Sequence, residues 1–214
     1  MPLPPAATVA IFSVAAYLIG GLPFGYWFVR LSAGQDVRTI GSGNIGATNV
    51  HRTLGHKAGI IVLALDILKG FVAVWLAAVI GFGGPLALAC ATVAVMLGHC
   101  YPPLLGFRGG KAVACFVGAF LYIAPLALVA ALAVLILVVA IARFVSLASI
   151  ISVWVFPFLL WWIDRPPRPI LIASIVAALL ITYRHRGNIS RLRRGIEPAF
   201  SLKRAAAEPE QSAP

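Results

Sequence analysis

The sequence predicts an all-α integral membrane protein of seven transmembrane helices, N-terminus periplasmic and C-terminus cytoplasmic, and three observations carry that prediction. Of the 214 residues 61% are apolar and only 11% charged, with a mean hydropathy of +0.99, whereas soluble domains carry roughly 45–50% apolar and about 25% charged residues. The apolar residues gather in seven runs, at about 8–31, 58–81, 85–101, 112–124, 126–144, 146–163 and 170–183, where a helical crossing needs roughly 20 residues. The basic residues between the runs fall almost wholly on one side of the resulting bundle.

Taken in order, the first run follows MPLPPAAT, which has no Lys or Arg, and precedes Arg30. That charge order predicts a retained helix rather than a cleaved signal. Gly20, Gly21 and Pro23 are expected to kink or thin it, with close helix packing as their main purpose. The second run contains Asp66 and Lys69. Asp66 stands about 13 Å past Lys57 at 1.5 Å per residue, and charges at such depth usually face the bundle interior. An ion pair that packs helices and a direct role in binding are equal readings of the two. The fourth run, between Lys111 and Pro125, offers about 13 apolar positions, so six spans plus a re-entrant segment is the alternative to seven. Residues 1–198 form one membrane domain, and 199–214, rich in Ala, Glu and Pro, are expected to be a disordered cytoplasmic tail.

The net charge of +11 is a topology signal rather than a nucleic-acid footprint, because the cations sit at the ends of apolar runs. With the N-terminus outside, the inner side holds Arg30, Arg38, Arg52, Lys57, Arg108, Lys111, Arg143 and seven more between Arg184 and Arg204, against Arg165 and Arg168 outside. Cys90, Cys100 and Cys115 have no C-x-x-C spacing. They are read as buried small hydrophobes, and no disulfide, metal or cofactor is expected.

The inner connections carry the chemistry. GSGNIGATNVHRTLGHK, from Gly41 to Lys57, sets Gly41, Gly43 and Gly46 among Ser42, Asn44, Thr48, Asn49 and Arg52. Glycines let the backbone aim N–H groups at a phosphate, and hydroxyls and a guanidinium complete such a cradle. It is no nucleotide P-loop, since Ala47 and Thr48 follow Gly46 where Lys and Ser/Thr are required. GHCYPPLLGFRGGKAVA, from Gly98, places Gly109 and Gly110 before Lys111 at the start of an apolar run. A helix N-terminus there would make a second anion site, with a snorkelling interfacial lysine as the equal alternative. YRHRGNISRLRRGIEP, from Tyr183, brings His185 and Asn188 to a common helical face, while Arg191, Arg193 and Arg194 are read as contacts to anionic lipid headgroups. Arg143, Ser146 and Ser149 add a smaller polar cluster.

These three motifs, together with LDILKG and RFVSLAS, closely resemble the bacterial acyl-phosphate-dependent glycerol-3-phosphate acyltransferases, the PlsY family, over roughly residues 8–198. The resemblance implies a seven-helix enzyme of the bacterial inner membrane that moves a fatty acyl group from acyl phosphate to the 1-hydroxyl of glycerol 3-phosphate. It implies that Ser42, Arg52 and Lys111 hold substrate phosphate and that Ser149, His185 and Asn188 position glycerol phosphate and its attacking hydroxyl. Glu197 would order the third motif beside the substrate, and Asn44, Thr48 and Asn49 would shape the first loop. Expected partners are the two substrates, membrane lipids and the soluble enzyme that makes acyl phosphate. His51 and Cys100 depart from the family pattern without touching these roles. His185 is the one neutral-pH base in the motifs, while the resemblance favours a substrate phosphate oxygen as proton acceptor.

Two rivals can be weighed on the sequence. A thioester-dependent acyltransferase would carry His-x-x-x-x-Asp, but His51, His56, His99 and His185 are followed at that distance by His56, Ile61, Leu104 and Ser190. A transporter or channel for a phosphorylated solute would find its best support in Asp66 and Lys69.

Overall fold

The computed structural model describes residues 5–80 and 84–200. Without water, each backbone N–H and C=O has to be bonded within its own segment, and the described residues accordingly form helices: α1 (Pro5–Gly20), α2 (Phe24–Ala33), α3 (Ala47–Leu54), α4 (His56–Val79), α5 (Pro85–Cys100), α6 (Val113–Ile123), α7 (Pro125–Ala142), α8 (Val145–Ile163), α9 (Arg168–Arg184) and α10 (Arg186–Arg193). Five segments are long and apolar enough to cross a membrane: Ala6–Ala33, which takes in α1 and α2, then α4, Pro85–Leu105, α7 and α8. A sixth is counted when α9 and α10, which meet at 57°, are taken as one broken span.

Length therefore supports fewer crossings than the seven expected, and two local causes account for it. The last run has 17 helical residues in α9 before it bends into α10, whereas the first, though broken at Gly21–Pro23, still counts as one crossing. The fourth, with 11 helical residues, rises only about 16 Å against a hydrocarbon core of roughly 30 Å. The expected tail lies outside the described residues from 201 onward. Its first residues are held, since the Phe200 N–H donates to the Arg143 carbonyl (2.6 Å).

Lipid tails are as apolar as leucine, so helix association has to come from close packing rather than from the hydrophobic effect. Glycines supply that closeness. A Cβ at Gly20 would meet the Val95 carbonyl and one at Gly98 the Tyr17 carbonyl, which seals α1 on α5. Gly70 against Cys115 and Gly118 against Ile67 do the same for α4 and α6. The aromatic core behind them joins Phe116, Phe120 and Phe156, with ring centroids 4.5–4.9 Å apart.

The break between α1 and α2 shows what the intramembrane charges do. Lys69 Nζ donates to the Leu22 carbonyl (2.8 Å), which lies in the break and also accepts the Phe24 N–H (3.1 Å), and stands 2.8 Å from Asp66 Oδ1. Both side chains are buried. Lys69 thus ties the broken helix to α4, and Asp66 neutralises it. This geometry favours the packing reading of the pair and takes from the transporter reading its best support.

Removing one partner of such a pair leaves a buried uncompensated charge, at a cost of roughly 3–5 kcal/mol. Lys69→Met should therefore lower the thermal unfolding temperature of the detergent-solubilised protein sharply. Adding Asp66→Leu should recover much of the loss, with a remainder because the bond that ties the Leu22 carbonyl to α4 is still gone. A double variant no better than Lys69→Met would show that the charge pair is not what holds this junction.

Candidate active site

All three polar connections lie at one end of the bundle, and each is braced by a buried polar side chain. In the first, Asn49 on α3 is only 2% exposed. Its Oδ1 accepts the Ser42 N–H (2.9 Å), and its Nδ2 donates to the carbonyls of Val37 (3.1 Å), Ile40 (3.0 Å) and Asn44 (2.9 Å). Gly41 has φ +59°, and any Cβ there would meet Asn49 Oδ1. The Gly43 N–H donates to the Ile40 carbonyl (3.0 Å) and the Gly46 N–H to Asn44 Oδ1 (2.8 Å). The N–H groups of Ser42, Gly43 and Gly46 are thus bonded inside the loop. Gly41 and Gly43 thereby make the turn, and Ser42 and Asn44 face the cleft.

The second connection packs on the end of α5. The Gly109 and Gly110 N–H groups donate to the carbonyls of Cys100 (3.1 Å) and His99 (2.9 Å), and a Cβ on either would collide with His99. Both N–H groups are thus engaged by the end of α5. What they achieve is to deliver Lys111 two residues ahead of Val113, the first residue of α6.

The third connection bends between α9 and α10 at His185. His185 Nδ1 lies 2.8 Å from the Ile181 carbonyl. A carbonyl needs a donor, so Nδ1 carries the proton and Nε2 of the neutral ring is left as an acceptor. Glu197 Oε1 accepts from Asn188 Nδ2 (2.6 Å) and Ser146 Oγ (2.7 Å), and Oε2 accepts from Arg191 Nε (2.7 Å). Burial by itself would raise the Glu197 carboxyl. The bonds from Asn188, Ser146 and Arg191 outweigh it and hold the group below the usual glutamate range.

These pieces enclose a cleft of ≈ 260 Å³. Ser42 and Asn44 face it from the first loop, Lys111 from the second, and Arg184, Arg186, Asn188 and Arg191 from α9 and α10. Of the other expected site residues, Arg52 and Thr48 are exposed on α3, Asn49 is buried beneath the loop, and His185 is buried beside Asn188. Ser149 bonds within its own helix to the Val145 carbonyl (2.8 Å). Glu197 supports Asn188 and Arg191 and does not line the cleft, which corrects its place among the binding residues. Arg191 is corrected as well: it lines the cleft and pairs with Glu197 rather than reaching for lipid. Arg184 and Arg186 were not singled out. Asn188 and Arg191, three residues apart on α10, carry a helical-face signal in the sequence, whereas the bend at His185 brings Arg184 of α9 to the same cleft.

Burial pushes the Lys111 ammonium down to about 8. Glu197 opposes that shift, while Arg191, Arg52 and Arg184 add to it. Four cations line the cleft, and the carboxylate nearest to them is already paired with one. Such a site lacks an anion, and guanidinium and ammonium groups beside amide and hydroxyl donors match the oxygens of a phosphate monoester.

Comparison with known proteins agrees with this chemistry. Residues 10–195 match the family model described as glycerol-3-phosphate acyltransferase. The chain is 45% identical to a glycerol-3-phosphate acyltransferase of Geobacter sulfurreducens, over 89% of this chain and 96% of that one. It is 41% identical to one of Clostridioides difficile, over 91% and 96%. Among solved structures it resembles PlsY (YgiH), an integral membrane glycerol 3-phosphate acyltransferase. The glycerol 3-phosphate form gives a TM-score of 0.84 at 39% identity, covering 90% of this chain and 96% of that one. The lysophosphatidic acid form gives 0.82 at 37%, covering 91% and 96%.

The lysine sets a pH signature. Below about 8 Lys111 is an ammonium and holds the anion; above it the charge is lost. Affinity for a phosphate monoester should therefore fall as the pH rises through that value. Lys111→Arg stays charged throughout and should abolish the alkaline decline in a calorimetric titration. A decline unchanged in that variant would assign it to another group.

Proposed function

The chain belongs to the glycerol-3-phosphate acyltransferase family, and on that premise we propose that it transfers a fatty acyl group from acyl phosphate to the 1-hydroxyl of sn-glycerol 3-phosphate. The products are lysophosphatidic acid and inorganic phosphate. The observation that carries this reading is the cleft at one end of an apolar bundle, lined by Lys111, Arg184, Arg186 and Arg191. Both substrates present phosphate, and one also carries an alkyl chain that belongs in lipid.

An acyl phosphate is a mixed anhydride with a good leaving group, so positioning and charge neutralisation are the protein's main tasks. The glycerol hydroxyl oxygen bonds to the acyl carbonyl carbon, the bond from that carbon to the phosphate oxygen breaks, and the hydroxyl proton passes to a phosphate oxygen. Lys111 and the arginines, with Arg52 within electrostatic reach of Lys111, neutralise the charge that gathers on the departing phosphate. Ser42 and Asn188 orient the phosphates by hydrogen bonding. His185, with Nδ1 held by Ile181, orients the glycerol phosphate by accepting at Nε2 from its 2-hydroxyl, which leaves the 1-hydroxyl proton to the phosphate.

The test is to supply purified protein with acyl phosphate and glycerol 3-phosphate and to measure lysophosphatidic acid. Lys111→Ala should lower kcat/KM by roughly 2–4 kcal/mol of transition-state stabilisation, the scale of one preorganised donor. His185→Gln should retain more turnover than His185→Ala, because an amide still forms a hydrogen bond but has no useful basicity. Equal inactivity of the two would make His185 the base, and absence of product from the unaltered chain would overturn the reading.

In the same reading the protein lies in the bacterial inner membrane with N-terminus periplasmic and C-terminus cytoplasmic. The short α6 completes a seventh pass, and the soluble enzyme that makes acyl phosphate works on the cytoplasmic side. The asymmetry of Lys and Arg supports this orientation. A Ser32→Cys variant lacking Cys90, Cys100 and Cys115 should resist impermeant thiol reagents in intact spheroplasts and react in inverted vesicles. The opposite pattern would invert the topology.

A further inference from the structure

The ammonium of Lys111 is the least secured cation of the cleft: among the described residues no side chain is hydrogen-bonded to it. Its position is therefore set by the backbone that leads to it. That backbone is held on two sides. On one side the Gly109 and Gly110 N–H groups donate to the end of α5. On the other, Arg184 at the end of α9 donates from Nε to the Gly110 carbonyl (3.0 Å) and from Nη2 to the Gly109 carbonyl (2.8 Å). The guanidinium also lies 5.0 Å over the Tyr101 ring, and the Tyr101 carbonyl accepts from Tyr17 on α1 (2.7 Å).

We propose that Arg184 is a positioning residue: by clasping the carbonyls of Gly109 and Gly110 it sets where the Lys111 ammonium stands in the cleft. The proposal rests on the reading of Lys111 as a phosphate-holding group. A rigid planar fork is what two successive carbonyls require, and a lysine offers only one mobile point charge. The absence of a side chain at 109 and 110 serves the same end, since a Cβ at either would lift the strand from His99. Other charges also face Lys111: Glu197 in the C-terminal segment, Arg191 on α10, Arg52 on α3 and His185 at the bend. Arg184 differs from these in holding the lysine's own backbone.

Two measurements on the full-length protein in detergent test this, each on variants shown to elute as monodisperse peaks. The first is a double-mutant cycle. Arg184→Lys keeps the cation and loses the clasp, so it should lower kcat/KM about tenfold or more, yet cost nothing further in a Lys111→Ala background, because residues acting through one another are non-additive. A near-normal Arg184→Lys variant, or losses that multiply in the double variant, would overturn the proposal. The second is the pH dependence of Lys111 acetylation by acetic anhydride, read by mass spectrometry, which requires no acyl transfer. Arg184→Lys keeps the like charge and frees the backbone, so the midpoint should move upward from about 8 as the ammonium swings toward solvent. An unmoved midpoint would overturn the proposal even if the enzyme is active, whereas a shifted midpoint in a protein without acyltransferase activity would refute only the functional reading on which it rests.

Discussion

A helix that breaks inside an apolar medium has to find a donor for every carbonyl it frees, and much of this molecule follows from how that demand is met. Within the break the Leu22 carbonyl accepts from the Phe24 N–H and also from Lys69 on α4. The charge this introduces calls for Asp66. The same logic governs the polar end, where loops leave helical geometry and are rebuilt around single buried groups. Asn49 satisfies four backbone groups of the first loop, Glu197 takes up two donors of the third and one from α8, and Arg184 holds two carbonyls of the second. The Asn49 brace is local, whereas those of Glu197 and Arg184 reach segments distant in the chain.

Because the braces satisfy the backbone internally, the cleft is left to side chains. In the glycine-rich loop the N–H groups of Ser42, Gly43 and Gly46 are bonded within the loop. Its glycines permit positive φ at Gly41 and Gly43 and close contact with Asn49. Recognition passes instead to Ser42, Asn44, Lys111 and the arginines. A cation on a long side chain can follow a phosphate as its charge moves from anhydride to leaving group, which a fixed amide cannot do as readily.

Clustered cations repel one another, and the site is organised to tolerate that. Arg191 is offset by Glu197. Arg184 is offset by two carbonyl oxygens and an aromatic face. Lys111 has no such partner, and burial first, with the neighbouring arginines adding to it, holds its pKa down. A phosphate dianion beside it would favour the charged ammonium.

The helices were legible in the sequence because their cause is local: runs of apolar residues have few alternatives in lipid, and the ends expected for α4, α5, α7, α8 and α9 lie within about two residues of those observed. The presence of phosphate chemistry was legible too, because Ser42, Lys111, His185 and Asn188 lie in compact motifs whose composition is unusual beside a membrane. What tertiary structure decided was the meaning of individual residues. That Gly109 and Gly110 serve the end of α5, that Arg191 belongs to Glu197 rather than to lipid, that Lys69 caps a break 47 positions away in sequence, and that Arg184 reaches back 74 and 75 residues to hold the strand before Lys111 are all long-range contacts. Local pattern records what a residue can bond to. Only packing determines which partner stands within about 3 Å, because hydrogen bonds and ion pairs are decided at that range and the helices that bring the partners together are placed by glycine contacts distributed along the whole chain.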